Sequence, residues 1–165
     1  MTAPAAALLQ PASPEQWAAA RALVEEYAAS LQLDLDFQNF DDEIASLPRE
    51  YGPPDGCFVL AATDGRFVGC GGVRRHDEAA CEMKRLYVRP DARGGGIARL
   101  IVERLIEHAR QRGYGVLLLD TLPTMDGAQA LYRSLGFTPT EPYRYNPVPG
   151  ATFWKLVLCT DHGLT

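Results

Sequence analysis

Residues 94–96 are three consecutive glycines, set between the apolar run Leu86-Tyr87-Val88 and a strongly periodic helical stretch that starts at Gly96. Glycine weakens the interior of a helix or strand by about 0.5–1 kcal/mol relative to alanine, so a run of three marks a bend whose backbone needs unusual freedom or lies close to something else. The first N–H groups of a helix have no intrahelical acceptors. Glycines at 94, 95 and 96 remove the side chains that would fence those donors off, and Arg93 adds a fixed positive charge on their flank. A helix start of this kind is an anion site, its dipole contributing about 0.3–1 kcal/mol. Residues 94–98 are thus candidates to hold a diphosphate.

Two common phosphate loops do not fit. A P-loop needs Gly-Lys-Ser/Thr at the helix start, where this chain has Gly96-Ile97-Ala98. A dinucleotide fingerprint opens the first βα unit of a parallel sheet. Here three strand-like runs precede the glycines as an antiparallel meander: 57–63, 66–75 and 81–90, the first two joined by the tight turn Asp64-Gly65.

The rest of the chain alternates helices and strands. A short strand ends at Pro11, and Ser13 with Gln16 reads as the capping box of a helix whose stripe is Trp17, Ala20, Leu23/Val24, Tyr27 and Leu31. A shorter helix is expected around Asp41 to Leu47. The helix after the glycines, about Gly96 to Gln111, buries Ile97, Leu100/Ile101, Leu105 and Ala109. Residues 115–122 form a continuous apolar run, as in a strand covered on both faces. A helix over 126–135 ends at Gly136, and a last strand covers 151–158. This order predicts a mixed sheet with helices on its faces, in the α/β or α+β class.

At 165 residues the chain is expected to be a single domain, residues 1–165. The formal charge of −5 excludes a sequence-independent nucleic-acid binder, and Arg93 followed by one glycine run is no RGG repeat. Cys57, Cys70, Cys81 and Cys159 show no CxxC pair and no short Cys/His spacing, so they read as reduced structural thiols, with no metal expected. The first 13 residues lack a basic region and enough apolar length for a signal peptide or membrane anchor, which makes cytoplasm the expected compartment.

Arg93-Gly94-Gly95-Gly96-Ile97-Ala98 resembles the Gln/Arg-x-x-Gly-x-Gly/Ala signature of the GNAT superfamily of acyl-CoA-dependent N-acetyltransferases. Farther on, residues 128–137 look like that family's second signature, A-x-x-L-Y-x-x-x-G-F, with Tyr132 at its tyrosine. The order of elements is similar over nearly the whole chain. One departure is Met125, which stands where many members carry an Asn that contacts the pantetheine arm.

The resemblance implies a mixed, mostly antiparallel sheet of six to seven strands flanked by about four helices, with two strands splayed at the acetyl-CoA site. It implies that pantetheine pairs with main-chain groups at Leu86, Tyr87 and Val88, like an added strand. The diphosphate would sit on the amides of Gly94, Gly95, Gly96, Ile97 and Ala98, with Arg93 and Arg99 as further contacts. The reaction implied is direct attack of an amine on the thioester of acetyl-CoA, in a ternary complex. Tyr132 is then the candidate acid for the leaving thiolate, and an amide near Leu86 a donor to the developing oxyanion. Glu82 is the candidate base, alone or through water, since strand alternation would place Glu82, Lys84, Leu86 and Val88 on one face; the alternative for Glu82 is a salt bridge with Lys84, two residues away.

The remaining polar residues divide. His76 reads as an exposed turn residue and Asp120 as a strand-end cap. Tyr27, the acidic group Asp34, Asp36, Asp41, Asp42 and Glu43, and Tyr143-Arg144-Tyr145 are candidate walls of the acceptor site, with Arg144, Arg74 and Arg75 as alternative anchors for an acceptor carboxylate. The expected acceptor is a small-molecule primary amine, with a peptide or protein N-terminus as the runner-up and a noncatalytic acyl-CoA-sensing domain as the rival class. The family's habit of dimerising makes a homodimer a further expectation.

Overall fold

The structure, a computed structural model, describes residues 6–31, 40–122 and 126–158. Its elements are β1 (Ala7–Leu9), α1 (Pro14–Leu31), α2 (Phe40–Ala45), α3 (Leu47–Tyr51), β2 (Cys57–Thr63), β3 (Arg66–Arg75), β4 (Ala80–Val88), α4 (Ile97–Arg112), β5 (Val116–Thr121), α5 (Asp126–Ser134), β6 (Thr138–Thr140) and β7 (Thr152–Val157). The seven strands form one mixed sheet in the order β1-β2-β3-β4-β5-β7-β6. Every neighbouring pair is antiparallel except β4 and β5.

Local chemistry explains the main boundaries. The Ser13 hydroxyl accepts from Gln16 N–H at 3.1 Å, while Gln16 Oε1 accepts from the amides of Ala12 and Ser13, so α1 opens with a reciprocal capping box. Asp64 and Gly65 both take positive φ, as a two-residue hairpin turn demands. The expected short helix is two helices, α2 and α3, parted at Ser46. Pro48 hides the second from sequence reading, yet it sits in the first turn of α3, where its missing N–H has no intrahelical bond to make.

Two buried clusters lie on opposite faces of the sheet. On one, α4 contributes Ile101, Val102 and Leu105, α5 contributes Tyr132, and the sheet contributes Val59, Met83 and Leu117. On the other, Ala20, Leu23 and Val24 of α1 and Tyr51 of α3 cover Phe58, Leu60 and Tyr87. A side chain at Gly71 would meet Ile101 Cγ2 at 2.8 Å, so the glycine lets α4 lie close to β3. Leu100, expected on the buried stripe, is 40% exposed; Val102 and Ile106 take that place.

Two irregularities of β4 shape everything that follows. First, Cys70 pairs with Tyr87 and Gly72 with Lys84, so Arg85 and Leu86 together oppose the single residue Gly71. This is a β-bulge, and Arg85 adopts φ 63° within it. It reverses the parity of the strand. Leu86 and Val88 pack against the α4 cluster, while Glu82, Lys84 and Arg85 make their contacts on the α1 side. The single face expected for Glu82, Lys84, Leu86 and Val88 therefore does not exist. Second, β4 and β5 pair only at Ala80–Val116, Cys81–Leu117 and Glu82–Leu118, then part.

Candidate active site

The site begins at the glycine bend. Gly94 and Gly96 adopt φ 89° and 84°, left-handed values that cost an L-residue about 1–2 kcal/mol. Gly96 is the N-cap of α4, with no side-chain hydrogen bond to cap the helix, and the Leu100 amide is bonded back to Gly96 C=O at 3.1 Å. A Cβ built on any of the three glycines meets nothing within 4 Å. The start of α4 is thus uncapped and free of crowding at all three glycines, as an anion cradle requires. Arg93 lies folded against the strand, its Nε donating to Val88 C=O at 2.8 Å and its guanidinium over the Tyr87 ring. Arg99 bridges α4 and α5 through a 3.1 Å bond to the Ser134 hydroxyl.

From this bend a cavity of about 720 Å³ runs into the gap between β4 and β5. Leu86, Tyr87 and Val88 line one side, Leu119 to Leu122 the other. Arg93, Gly94, Gly96, Ile97, Ala98 and Arg99 wall the loop end; Gly95 is not on the wall. Main-chain groups of β4 beyond Glu82 are not used by β5. The residues present therefore fit an extended acyl-CoA, with a bare cradle at one end and an unpaired strand edge beside it.

At the inner end stand Tyr27, Lys84, Arg85, Asp120, Tyr132 and Asn146. Tyr132 is 5% exposed, its ring 5.5 Å from Phe137. Burial pushes its phenol well above the usual tyrosine range, so it is protonated at neutral pH. Asp120, read from sequence as a cap, faces the cavity instead: its side chain is 9% exposed, Oδ2 accepts from Asn146 Nδ2 at 3.0 Å and Oδ1 lies 3.9 Å from Lys84 Nζ. The signal for this position was its place at the parting end of β5, which a strand-end cap shares.

Glu82 is fully buried and not on the cavity wall. Its oxygens accept from the Tyr143 hydroxyl at 2.7 Å and from Arg144 Nη2 at 2.6 Å, with Arg74 at 3.5 Å and Lys84 at 3.8 Å. A carboxylate so enclosed stands behind the site. Arg144 and Arg74, the alternative carboxylate anchors, are held by Glu82 and Glu43, and Arg75 is exposed.

The acidic group is not one surface. Asp34 and Asp36 lie outside the described residues, as do Met125 and Cys159. Asp41 and Asp42 are exposed, whereas Glu43 is buried. Arg85 grips Glu43 with Nε at 2.7 Å and Nη2 at 3.0 Å, and the Tyr51 hydroxyl donates at 2.8 Å. Burial raises Glu43, but the Arg85 hydrogen bonds and charge outweigh it and hold the carboxyl below its ordinary value. This pair fastens α2 to the bulge of β4. His76 is exposed in its turn, its ring edge against Tyr143, and Tyr145 is exposed. Cys57, Cys70 and Cys81 are free and buried, with Cys57 pushed up to about 11 by burial.

Among the described residues, no group of three or more His, Cys, Asp or Glu is placed to hold a metal. No helix among them is long and apolar enough to cross a membrane.

Comparison with known proteins gives a coherent answer. Residues 17–137 match the model of the acetyltransferase (GNAT) family. An uncharacterized N-acetyltransferase of Schizosaccharomyces pombe is 44% identical over 81% of this chain and 83% of its own length. The N-acetylaspartate synthetase of Rattus norvegicus is 36% identical over 61% of this chain, which spans about a third of that protein (34%). Among solved structures, a GNAT-family acetyltransferase of Staphylococcus aureus superposes with a TM-score of 0.77 at 19% identity, over 94% of this chain and all of that one (100%). An acetyltransferase from Salmonella typhimurium, solved with its cofactor acetyl-CoA, has a TM-score of 0.66 at 21% identity, over 94% and 95% of the two chains.

Proposed function

This chain belongs to the acetyltransferase (GNAT) family and is an acyltransferase, and from that premise we propose that it moves an acetyl group from acetyl-CoA to the primary amine of a small molecule, by direct attack in a ternary complex. The observation that carries the reading is the parting of β4 and β5 after Glu82–Leu118, in one cavity with the uncapped start of α4 at one end and Asp120 and Tyr132 at the other. The relative named N-acetylaspartate synthetase supports a small acceptor over a protein N-terminus. The proposed unit is a single domain.

When bound, acetyl-CoA supplies the activated acetyl group. The chain's own residues do the rest. The amides of residues 94–98 hold the diphosphate, helped by Arg99, while Arg93 braces the end of β4 through Val88 C=O. The edge of β4 that β5 leaves unpaired at Leu86, Tyr87 and Val88, apart from the Val88 C=O held by Arg93, would pair with the pantetheine amides, and a main-chain N–H near Leu86 would serve the developing oxyanion. Asp120 takes the amine's proton, directly or through one water. Glu82, expected as the base, acts from behind by holding Lys84, Tyr143 and Arg144 in place. Tyr132, protonated and water-poor, gives its proton to the departing thiolate.

The test is a thiol-release assay with acetyl-CoA against amino acids, polyamines, aminoglycosides and short peptides. Turnover on a small amine supports the reading. Turnover on peptides alone moves it to the runner-up, and tight acetyl-CoA binding with no turnover makes the domain a sensor.

A further inference from the structure

One cation at the inner end of the cavity is unused. The Lys84 side chain is 2% exposed, yet Nζ makes no hydrogen bond. Its two nearest carboxylates, Glu82 at 3.8 Å and Asp120 at 3.9 Å, attract it without reaching hydrogen-bond distance. An ammonium has three N–H donors, and leaving them unmet in a buried place is unfavourable. Both neighbours are also spoken for. Glu82 carries the shorter bonds of Tyr143 and Arg144, and Asp120 is bonded to Asn146.

Lys84, Arg85, Arg74 and Arg144 are interleaved with Glu82, Glu43, Asp120 and the partly exposed Glu50, four cations and four carboxylates, and of the four cations Lys84 alone makes no hydrogen bond. Burial lowers Lys84 to about 8 against the pull of Glu82 and Asp120, so at neutral pH the cation still predominates.

We propose that the acceptor is a free α-amino acid, its carboxylate taken by the vacant donors of Lys84 and its amine laid against Asp120. This rests on the acetyltransferase reading above and names its substrate class. Lys84 of β4 and Asp120 of β5 are a cation and an anion 3.9 Å apart across the inner end of the cavity, the complement of a zwitterion whose two charged groups sit on one carbon. Binding in this pose puts the amine beside the group that takes its proton. The side chain of the amino acid is left to the half-buried, largely apolar wall of Tyr27 and Leu31.

The experiment compares a panel of L-amino acids with their α-carboxamides, in steady-state turnover and in calorimetric titration of the protein saturated with coenzyme A. The wild type is expected to prefer at least one acid over its amide by about ten- to a hundredfold in KM and Kd. Lys84→Met is expected to erase that preference by weakening the acid alone, with coenzyme A affinity unchanged, and Lys84→Arg to restore part of it. Equal use of acids and amides by the wild type overturns the inference, and needs no variant. So does an equal loss for both in Lys84→Met, or binding and turnover of amines and peptides but of no amino acid. Selective binding of an acid without any turnover would retain the carboxylate site and refute the enzymatic reading.

Discussion

Arg144 Nη2 lies 2.6 Å from Glu82 Oε1, joining a segment near the end of the chain to the middle of β4, 62 residues away. Tyr143 grips the other oxygen. The carboxylate is buried at 0% exposure beneath this clasp, so its removal leaves Arg144 and the Tyr143 hydroxyl without their acceptor, while Arg74 keeps Glu43 and Glu50. Glu82→Ala should cost about 3–5 kcal/mol of stability, as breaking a buried ion pair does. Urea denaturation measures it; a loss below 1 kcal/mol, within the range of an exposed ion pair, would mean the clasp is not structural.

Asp120 and Glu82 separate by their pH profiles. Asp120→Asn should lower kcat/KM about a hundredfold or more and flatten its decline toward low pH, because the amine's proton has lost its acceptor. Glu82→Gln should change KM for the amine while keeping the shape of the profile. A flattened acidic limb in Glu82→Gln alone would return the base to Glu82.

Tyr132→Phe keeps the ring and removes a hydroxyl that bonds no other described residue. Stability should stay near wild type while kcat falls about a hundredfold. An acetyl thioester of a more acidic thiol, which leaves without protonation, should narrow the gap. An undiminished gap with that donor would assign the hydroxyl another task.

Lys84 predicts an unusual stability profile. Its folded value, about 8, is below the ordinary 10.5, so between these values the unfolded chain holds more protons than the folded one. The penalty of the buried cation is complete below pH 8 and is relieved as pH rises toward 10.5. Relative to Lys84→Met, the wild type should gain stability across that window; the buried tyrosines, present in both proteins, cancel. Parallel curves would mean that Lys84 is not desolvated.

At the bend, Gly94→Ala and Gly96→Ala must force positive φ on a residue with a side chain, which distorts the loop that presents the amides. Coenzyme A affinity should fall about tenfold or more, the equivalent of 1.4 kcal/mol. Gly95, outside the left-handed region and off the cavity wall, should tolerate alanine within about twofold. Calorimetric titration reads all three, and a loss as large at Gly95 as at Gly96 would point to general rigidity of the loop.

Sequence reading reached the parts of this protein that are written locally. The glycine bend, the Asp64-Gly65 turn, the Ser13–Gln16 capping box and the two signature stretches each lie within ten residues. It missed what depends on a one-residue slip or a distant partner. Nothing local announces that Arg85 takes φ 63°, yet that bulge moves Leu86 and Val88 to the other face. The bulge is held by Glu43, 42 residues earlier, which in the sequence is one of a run of acids expected to wall the acceptor site. Asp120 was hidden for the same reason, since a strand-end polar residue becomes a site residue only because β4 and β5 part beside it.

The most direct measurement is a crystal structure of the protein with coenzyme A. The diphosphate should accept hydrogen bonds from the amides of residues 94–98, with the pantetheine arm between Leu86–Val88 and Leu119–Thr121 and the sulfur beside Tyr132. Coenzyme A bound elsewhere, or the gap between β4 and β5 closed by the two strands pairing with each other, would contradict the account.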